Sequence, residues 1–401
     1  MDFIFSEEKQ LLRDSLQKYI SKDYGFEARK AIIAAPRGFS DKVWAQFADM
    51  GLLGVAFDEA HGGFSGSSVD TMLVMTELGR GIVVEPYWST VVLGAGLVGL
   101  AGSTAQKQAL LSEVAQGKLL LAAALGEPNS RFELDCVESS AKRDGAGYVL
   151  NGHKAVVLHG DSADKFVVSA RTAGGARDAK GISLFLVDKK SAGVAVQGYR
   201  TIDGMRAAEV KFANVKLGAD SVLGAVDAAL PLLERAADFA VSALCAEAVG
   251  AMEALNAATL EYLKTRQQFG RHIGSFQALQ HRAVDMMIHC EQSRSLAYLA
   301  SVKVQSADAN ERRRAVSAAK IQVGRSGRLI SQEAIQMHGG MGVSNELAAG
   351  HYAKRLTMIN ATMGDVDYHS ERFARAAYSD AAVPRSERAC AAKQTRFGAR
   401  E

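Results

Sequence analysis

Two glycine-containing segments in the second half of the chain combine residues that could bind a phosphate-bearing ligand. The first covers residues 265–277 and reads TRQQFGRHIGSFQ. Gly270 and Gly274 interrupt a helical pattern there, and Ser275 is a candidate cap for the helix that follows. Amides at a helix N-terminus point toward an anion, and Arg266 would add a forked, charged donor. These residues predict a pyrophosphate site, although a turn between helices with a surface arginine explains them too.

The second segment covers residues 336–342 and reads QMHGGMG. It follows a long amphipathic helical pattern and has three glycines within four positions. Such a backbone can come very close to a flat or charged group. His338 lies in the segment, but a lone histidine is more often structural than catalytic. Taken alone, the segment is also what a glycine-rich loop between two helices would look like.

The spacing of apolar residues divides the chain into three predicted domains and a tail. Residues 1–118 have helical spacing and are expected to form an N-terminal helical domain. Between residues 119 and 224 the period shortens to two and β-branched residues appear, which predicts a middle antiparallel β-domain, either a barrel or a sandwich. Long helical patterns joined by short loops over residues 225–378 predict a four-helix bundle. Residues 379–401 are polar and unpatterned, which predicts a mobile tail.

Local signals predict finer features inside these domains. The dipeptides Asp144-Gly145 and Asn151-Gly152 are typical of two-residue hairpin turns. In the bundle, an unbroken helical pattern predicts a single last helix over residues 345–378.

Composition excludes several classes of protein. The 401 residues are 48% hydrophobic and 23% charged, with a net charge of +3, which indicates an ordinary globular protein. Basic residues are scattered apart from residues 312–314, so nucleic-acid binding is not expected. The longest apolar window, near residues 91–101, is shorter than the roughly 18 residues of a membrane span, and the opening MDFIFSEEKQ lacks the pattern of a signal peptide. A cytoplasmic protein without membrane attachment is expected.

Four cysteines show no metal-binding spacing: Cys136, Cys245, Cys290 and Cys390.

The two glycine-containing segments, in this order and on this arrangement of domains, resemble the acyl-CoA dehydrogenase family. Residues 266–270 (RQQFG) resemble its R-x-x-F-G signature, and residues 336–340 (QMHGG) its Q-x-x-G-G signature. Six further short motifs extend the likeness over nearly the whole chain: FSEE at 5–8, GLLG at 51–54, HGG at 61–63, ELGR at 77–80, EP at 127–128 and NGHK at 151–154.

The resemblance implies an α+β fold of the acyl-CoA dehydrogenase type and an FAD-dependent α,β-desaturation of an acyl-CoA thioester. It also implies electron-transferring flavoprotein as the acceptor. Within the family the likeness is greatest to the small subunits of heteromeric enzymes, of the kind found in pimeloyl-CoA dehydrogenase and in dehydrogenases of steroid side chains. A dicarboxylyl or steroid-type acyl-CoA is therefore the expected substrate.

In that family, the two signatures reach across a subunit interface to the FAD of a neighbour. The resemblance implies that Arg266 lies near the pyrophosphate of the cofactor. It implies further FAD contacts from Gln268, Phe269, Phe276, Gln277, Gln336, Gly339, Gly340 and Asp365. Arg235 and Asp238, on the predicted first helix of the bundle, are weaker candidates for contacts with the CoA arm, because a solvated helix face explains them equally well.

The catalytic glutamate of the family is missing from both of its usual positions. One family position precedes a Gly-Thr pair in the last bundle helix, and Met363 occupies it here. The other lies on the first bundle helix, where this chain has Ala240, followed by Val241 in place of the usual arginine. Asp365 is a nearby carboxylate that could act as the base if the turn shifted. More simply, it replaces the threonine that lies along the cofactor.

The predicted β-domain departs from the family in the same direction. The family pattern T-E-P-x-x-G-S-D reads GEPNSRFE at residues 126–133, and W-I-T-N-G reads VVLHG at residues 156–160. Gly126 and Leu158 thus replace two hydroxyl side chains that hold the flavin ring, and Val156 replaces the tryptophan that shields it. Each lost hydrogen bond is worth on the order of 1 kcal/mol.

These losses affect one half of a composite site and spare the other, which predicts a heteromer. We expect an α2β2 assembly in which this chain contacts FAD held on a large subunit that carries the catalytic glutamate. A self-sufficient homotetramer with Asp365 as base stays open, as do a non-catalytic scaffold subunit and a different flavin reaction on the same fold. The small Ala240 and Gly126 could leave room for a bulky substrate.

Overall fold

The computed structural model describes residues 5–378, so the predicted mobile tail at 379–401 lies outside the described residues. The N-terminal domain consists of α1 (Glu7–Asp23), α2 (Phe26–Ala34), α3 (Asp41–Asp49), α4 (Ser68–Arg80), α5 (Gly96–Ala101) and α6 (Thr104–Ala115). Capping boxes begin two of these helices, with Ser67 and Asp70 at α4 and Ser103 and Gln106 at α6.

A π-helix, Trp88–Ala95, precedes α5 and is buried along its whole length. It connects the N-terminal domain to both of the others. The Trp88 indole nitrogen donates to the carbonyl oxygen of Ala240 (2.9 Å), and the Thr90 hydroxyl donates to that of Leu121 (3.0 Å). The first contact lies at the bundle and the second at the start of the β-domain.

The middle domain is one mostly antiparallel sheet. Its strands are β1 (Leu121–Ala124), β2 (Ser140–Asp144), β3 (Gly147–Leu158), β4 (Lys165–Arg171), β5 (Ile182–Asp188), β6 (Val194–Arg200), β7 (Arg206–Leu217) and β8 (Val222–Leu223). The strand order is β6-β7-β3-β2-β4-β5-β8, and β1 joins β4 in parallel.

One of the two predicted hairpin turns is confirmed and the other is wrong. A two-residue turn does connect β2 to β3 there, formed by Gly145 (φ +58°) and Ala146 directly after Asp144. Asn151-Gly152 lies inside β3, at a register shift against β7, because Asn151 Oδ1 accepts the amide of Asn214 (2.8 Å). A Cβ at Gly152 would lie 2.2 Å from Ser139 Oγ, so this glycine serves close packing instead of a turn.

The C-terminal domain is helical, with α7 (Leu230–Thr265), α8 (Gln277–Lys303), α9 (Ala309–His338), α10 (Ala348–Ala361) and α11 (Val366–Ala377). The long α7 crosses α4 so closely that neither Gly79 nor Gly250 could carry a Cβ: the atom would lie 1.9 Å from Glu247 O or 1.8 Å from Thr76 O. The predicted single helix over 345–378 is wrong. Its chain breaks at Met363 (φ +56°) and Gly364 (φ +112°), in the left-handed region that ends helices.

A buried group of charges connects all three domains. Arg355 on α10 pairs with Glu247 on α7 (2.6 Å) and with Asp203 in the β6–β7 turn (2.8 Å). Arg29 on α2 donates to the backbone carbonyls of Asp203 (2.8 Å) and Ile82 (2.6 Å). Buried charges are tolerated only when they are paired and hydrogen-bonded, so these contacts fix how the domains meet.

Within residues 5–378, no helix combines the length and apolar character needed to cross a membrane. The same residues contain no group of three or more histidine, cysteine, aspartate or glutamate side chains placed to hold a metal ion.

Candidate functional site

The segment after α7 forms a hairpin that projects from the bundle. Two short strands, β9 (Gln267–Gln268) and β10 (Arg271–His272), pair with each other, and Phe269 and Gly270 form the tip. Phe269 has a left-handed backbone (φ +55°) and a side chain that is 87% exposed. A Cβ at Gly270 would meet nothing within 4 Å. An aromatic ring held this far into solvent indicates a surface that another molecule covers.

Arg266 lies at the base of this hairpin with its backbone anchored and its side chain free. Its amide donates to Tyr262 O (2.9 Å), and its carbonyl accepts from Ile273 N (2.9 Å). The guanidinium is exposed, and nothing among residues 5–378 pairs with it. It is therefore a fixed, uncompensated cation available to an anionic ligand.

The structure brings the two sequence segments together. The ring of His338, at the end of α9, stacks on Tyr262 near the end of α7 with centroids 4.5 Å apart. The Tyr262 hydroxyl also donates to His338 O (3.3 Å). Gly339 and Gly340 follow in a 3-10 helix, Gly339–Val343, and both face open space. His338 thus has a structural role, and it holds the glycine loop beside the Arg266 hairpin.

The other predicted cofactor contacts surround these two loops. Gln268 and Gln336 are exposed, and Gln277 is the exposed first residue of α8. Phe276 is half-buried and meets Phe269 edge to face, with centroids 6.0 Å apart. Their contacts with FAD stay predictions. The predicted cap by Ser275 is wrong, because its hydroxyl donates to His272 O (2.7 Å) and α8 begins after Phe276 without a side-chain cap.

Neither position of the family base holds a group that can take a proton. Met363 is half-buried and packs against the core. Ala240 is fully buried, and its carbonyl oxygen accepts a hydrogen bond from Trp88 Nε1. The expectation that its small size leaves room for substrate stays a prediction. Val241 is also buried.

A buried ammonium group, that of Lys320, binds the loop that carries Met363. Lys320 Nζ donates to the carbonyls of Asn360 (3.0 Å), Thr362 (2.9 Å) and Gly364 (2.5 Å), and burial lowers the pKa of Lys320 to about 8. His369 Nε2 lies 3.1 Å from Met363 O. Burial and the nearby Lys320 lower the pKa of His369 to about 3, so this ring is neutral at physiological pH.

Asp365 is occupied as a helix cap. Its Oδ1 accepts the amide of Tyr368 (2.9 Å) at the start of α11, and its Oδ2 lies 3.8 Å from Arg131 Nη2. The cap accounts for its place in the fold without any catalytic role. Its assignments as a base and as a cofactor contact both stay predictions.

Arg131 and Phe132 reach from the β-domain toward α11. Arg131 has a left-handed backbone (φ +51°), and its guanidinium lies 5.6 Å from the Phe132 ring centroid. The Phe132 ring in turn meets Tyr368, with centroids 5.5 Å apart. Together with the Arg131–Asp365 pair, these contacts bridge the β-domain and α11 with side chains that the family pattern does not have there.

The loop that carries these two residues is anchored by a buried ion pair. Glu127 accepts from Lys154 Nζ (2.7 Å) and from the amides of Glu138 (2.7 Å) and Ser139 (3.1 Å). Burial alone would raise the pKa of Glu127, but the Lys154 ammonium and these amides lower that pKa below its ordinary value. The carboxylate is therefore ionised and holds the loop in place.

The bundle half and the β-domain half of the expected FAD site differ in how well their residues suit the cofactor. The bundle half offers a free guanidinium at Arg266, an uncovered ring at Phe269 and an open glycine backbone, which suit a dinucleotide. On the β-domain, Val156 is 55% exposed and Leu158 packs into the core, and neither side chain can donate a hydrogen bond to a flavin ring. This β-surface therefore does not fit the ring.

The two candidate CoA contacts lie in different surroundings. Arg235 is exposed on α7, and its substrate contact stays a prediction. The prediction for Asp238 is wrong, because its side chain is buried and its carboxylate lies 2.5 Å from Arg372 and 3.6 Å from Arg312. A carboxylate used in a buried ion pair is not available to a ligand at the surface.

Comparisons with known proteins agree with this architecture. Three family profiles match consecutive parts of the chain: "Acyl-CoA dehydrogenase, N-terminal domain" at residues 6–118, the middle domain at 122–215 and the C-terminal domain at 234–378. The short-chain specific acyl-CoA dehydrogenase of Clostridium acetobutylicum is 26% identical over 86% of this chain and 91% of its own length. The mitochondrial isovaleryl-CoA dehydrogenase of Solanum tuberosum is 29% identical over 88% and 86%.

Solved structures give the same result. The ChsE4-ChsE5 complex from Mycobacterium tuberculosis matches with a TM-score of 0.84 and 26% identity, over 96% of this chain and 100% of that one. A variant of the steroid ACAD Tcur3481-Tcur3483 matches with a TM-score of 0.85 and 27% identity, over 94% and 99%. The predicted α+β fold and FAD cofactor are thereby confirmed, and this chain belongs to the acyl-CoA dehydrogenase family of FAD-dependent oxidoreductases that act on CH–CH bonds.

Proposed function

We propose that this chain is the subunit of a heteromeric acyl-CoA dehydrogenase that completes the FAD site of a partner subunit. It contributes Arg266, Phe269 and the Gly339–Gly340 backbone to FAD whose ring lies on the partner's β-domain. The partner carries the catalytic glutamate. The enzyme is an α2β2 assembly in the cytoplasm.

The observation that carries this proposal is the contrast between the two halves of the expected site: one offers free ligand-binding groups, and the other lacks a base and hydrogen-bond donors for the flavin ring. The Phe269 ring is 87% exposed and Arg266 has no ion-pair partner among the described residues. On the opposite side, Phe132 packs against Tyr368, and Met363 stands where a base would be needed. A chain that acted alone would need both the bundle half and the β-domain half of the site to bind FAD, and a base of its own.

The residues of this chain would bind the cofactor and shield it from water, and the partner would carry out the proton transfer. Arg266 would donate charge-assisted hydrogen bonds to the pyrophosphate, and Phe269 would exclude water along the cofactor. When bound, FAD accepts the β-hydrogen of the substrate as a hydride. Electron-transferring flavoprotein is the proposed acceptor for the reduced enzyme.

A dicarboxylyl or steroid-type acyl-CoA is the proposed substrate class. The match to a steroid ACAD, Tcur3481-Tcur3483, supports a steroid-type substrate. The match to the ChsE4-ChsE5 complex supports an assembly of two different chains. A panel of acyl-CoA thioesters, with straight-chain, dicarboxylyl and ring-bearing acyl groups, would separate these possibilities by kcat/KM.

The decisive measurement is the flavin content of the chain alone and of its complex with the product of the neighbouring gene. We expect negligible FAD in the lone chain and one FAD per pair of unlike subunits in the complex. Full yellow occupancy of the lone chain would contradict the proposal.

Arg266→Ala separates a cofactor contact from a scaffold. We expect it to weaken FAD binding to the complex at least tenfold, because a charge-assisted contact to the pyrophosphate is lost. Arg314→Ala is the matched control, since Arg314 is an exposed arginine near the other end of α9. A pure scaffold subunit would show equal FAD affinity in both variants.

A further inference from the structure

A groove between α9 and α10, here called the α9–α10 groove, has properties that the proposed FAD contacts do not explain. It is a surface pocket of about 480 Å³. Its walls come from the two helices, from the 3-10 helix that follows α9 and from the turn containing Ile202. No aspartate or glutamate of the described residues lines it. Its size is that of a site for a small ligand or for a few side chains of a partner.

Two cations without a partner among the described residues line this groove. Arg328 lies on α9 and Lys354 on α10, both exposed, and neither has a hydrogen-bond or ion-pair partner in the described part of the chain. Two half-buried arginines elsewhere in the bundle do have carboxylate partners. Arg282 pairs with Glu333, and Arg313 pairs with Glu234. The groove is therefore a local concentration of uncompensated positive charge.

The groove wall also contains polar atoms without partners. Ser331 is 7% exposed, and neither its hydroxyl nor the buried Asn360 Oδ1 has a hydrogen-bond partner among residues 5–378. Gly324 makes room for this amide, since a Cβ there would lie 2.4 Å from Asn360 Oδ1. Buried polar atoms without partners are uncommon, so a group that brings hydrogen bonds into the groove would be stabilised.

The rim of the groove favours a protein over a free anion. Val343 is 75% exposed and Ile202 is 60% exposed, and both line the groove. A small anion would pair with the cations and leave these apolar side chains in water, whereas a protein segment would cover both. Val343 also ends the 3-10 helix that begins with Gly339, a residue that the proposed function places against a second subunit.

We infer that the α9–α10 groove receives an acidic segment of the partner subunit, with a carboxylate between Arg328 and Lys354 and an apolar side chain against Val343 and Ile202. This inference rests on the proposed heteromer and deepens it, because it names the surface that selects the partner. Charge complementarity of this kind sets specificity and association rate more than total affinity.

The test reverses the charges of the groove in the assembled complex. Arg328→Glu with Lys354→Glu is compared with Arg314→Glu, an exposed arginine on the same helix but outside the groove. We expect the double variant to raise the subunit dissociation constant at least tenfold in sedimentation velocity at low salt, and Arg314→Glu to change it by less than twofold. The unmodified complex should also weaken as NaCl rises. A dissociation constant within twofold for the double variant would overturn the inference.

A second measurement separates a protein partner from a small anion. Inorganic pyrophosphate is titrated into the lone chain and the melting temperature is followed. A saturable rise that the double variant abolishes, with unchanged subunit association, would assign the groove to a free anion and overturn the inference.

Measuring the flavin content of the same samples distinguishes a failure of the proposed function from a failure of the inference about the groove. Arg266→Ala should lose FAD from a pair that still sediments as one particle, whereas groove reversal should separate the subunits. If the lone chain proves to be a fully flavinated homomer, the proposed function fails. If only groove reversal has no effect, the inference about the groove fails alone.

Discussion

The indole nitrogen of Trp88 donates a 2.9 Å hydrogen bond to the carbonyl oxygen of Ala240, at the helix position where some members of the family carry their base. Ala240 is fully buried and Trp88 is 8% exposed. The position of the missing glutamate is therefore shielded from water, and its backbone is hydrogen-bonded to an aromatic side chain of the N-terminal domain.

Restoring a carboxylate at this position should destabilise the protein. We expect Ala240→Glu to lower the free energy of unfolding by about 3–5 kcal/mol, because an unpaired carboxylate would be buried against the indole. Urea denaturation measures the loss. Ala258→Glu, at an exposed position on the same helix, should change the free energy of unfolding by less than about 0.5 kcal/mol. An Ala240→Glu variant as stable as this control would mean that the cleft beneath Trp88 is open to water.

Restoring the other base position should not restore the reaction. Met363→Glu puts a carboxylate where the family has it, but Val156 and Leu158 still offer the flavin ring no hydrogen-bond donor. We expect no measurable dye reduction by the lone Met363→Glu chain with any acyl-CoA, even with added FAD. Turnover by this variant would show that the β-domain of this chain binds the flavin ring, and the lost base would then be the only defect.

Replacing Asp365 by asparagine distinguishes a helix cap from a catalytic base. Asparagine caps helices about as well as aspartate does, so Asp365→Asn should change stability by less than about 1 kcal/mol and leave the kcat of the complex within twofold. Steady-state kinetics with the best substrate and a thermal melt measure the two effects. A loss of kcat greater than a hundredfold, with an unchanged melt, would support the self-sufficient enzyme with Asp365 as base.

The buried imidazole of His159 should make the protein sensitive to mild acid. Burial lowers the pKa of His159 from 6.5 to about 4, and neither ring nitrogen has a hydrogen-bond partner among the described residues. The unfolded chain therefore takes up a proton near pH 6.5 that the folded chain refuses until about pH 4. The contribution to stability is complete above pH 6.5 and is lost as the pH falls to 4, by up to about 3 kcal/mol.

His159→Asn should flatten this dependence. Asparagine does not titrate and tolerates the left-handed backbone of this residue (φ +53°). Urea denaturation at several pH values between 4 and 7.5 measures the change. The control is His281→Asn at an exposed position, which should keep the slope of the original protein. An unchanged slope in His159→Asn would assign the acid sensitivity to other groups.

The features that sequence predicted well were those with a local physical cause. Helical and strand periods gave the order of the three domains, and Asp144-Gly145 gave a hairpin, because a type of turn needs particular residues. The same turn signal failed at Asn151-Gly152. There the glycine is required by the nearby Ser139, a contact that the local sequence does not contain.

At the candidate site, the missed features were contacts between residues far apart in the chain. The stacking of Tyr262 on His338 joins the two signature loops, and no spacing rule connects residues 76 positions apart. The contacts of Arg131 with Asp365 and of Phe132 with Tyr368 depend on where α11 lies. Departure from the family pattern at residues 131 and 132 was the signal that could have drawn attention to these two side chains.

The Arg355 contacts determine how the molecule comes apart. If the β-domain separated from the bundle, Asp203 would lose its guanidinium partner, and if the first helix of the bundle left, Glu247 would lose the same one. Arg355 of the bundle therefore neutralises a carboxylate of the β-domain, and Arg29 of the N-terminal domain donates to the backbone carbonyl of the same residue, Asp203. The three domains should accordingly unfold in a single cooperative thermal transition, without separate transitions at the domain boundaries.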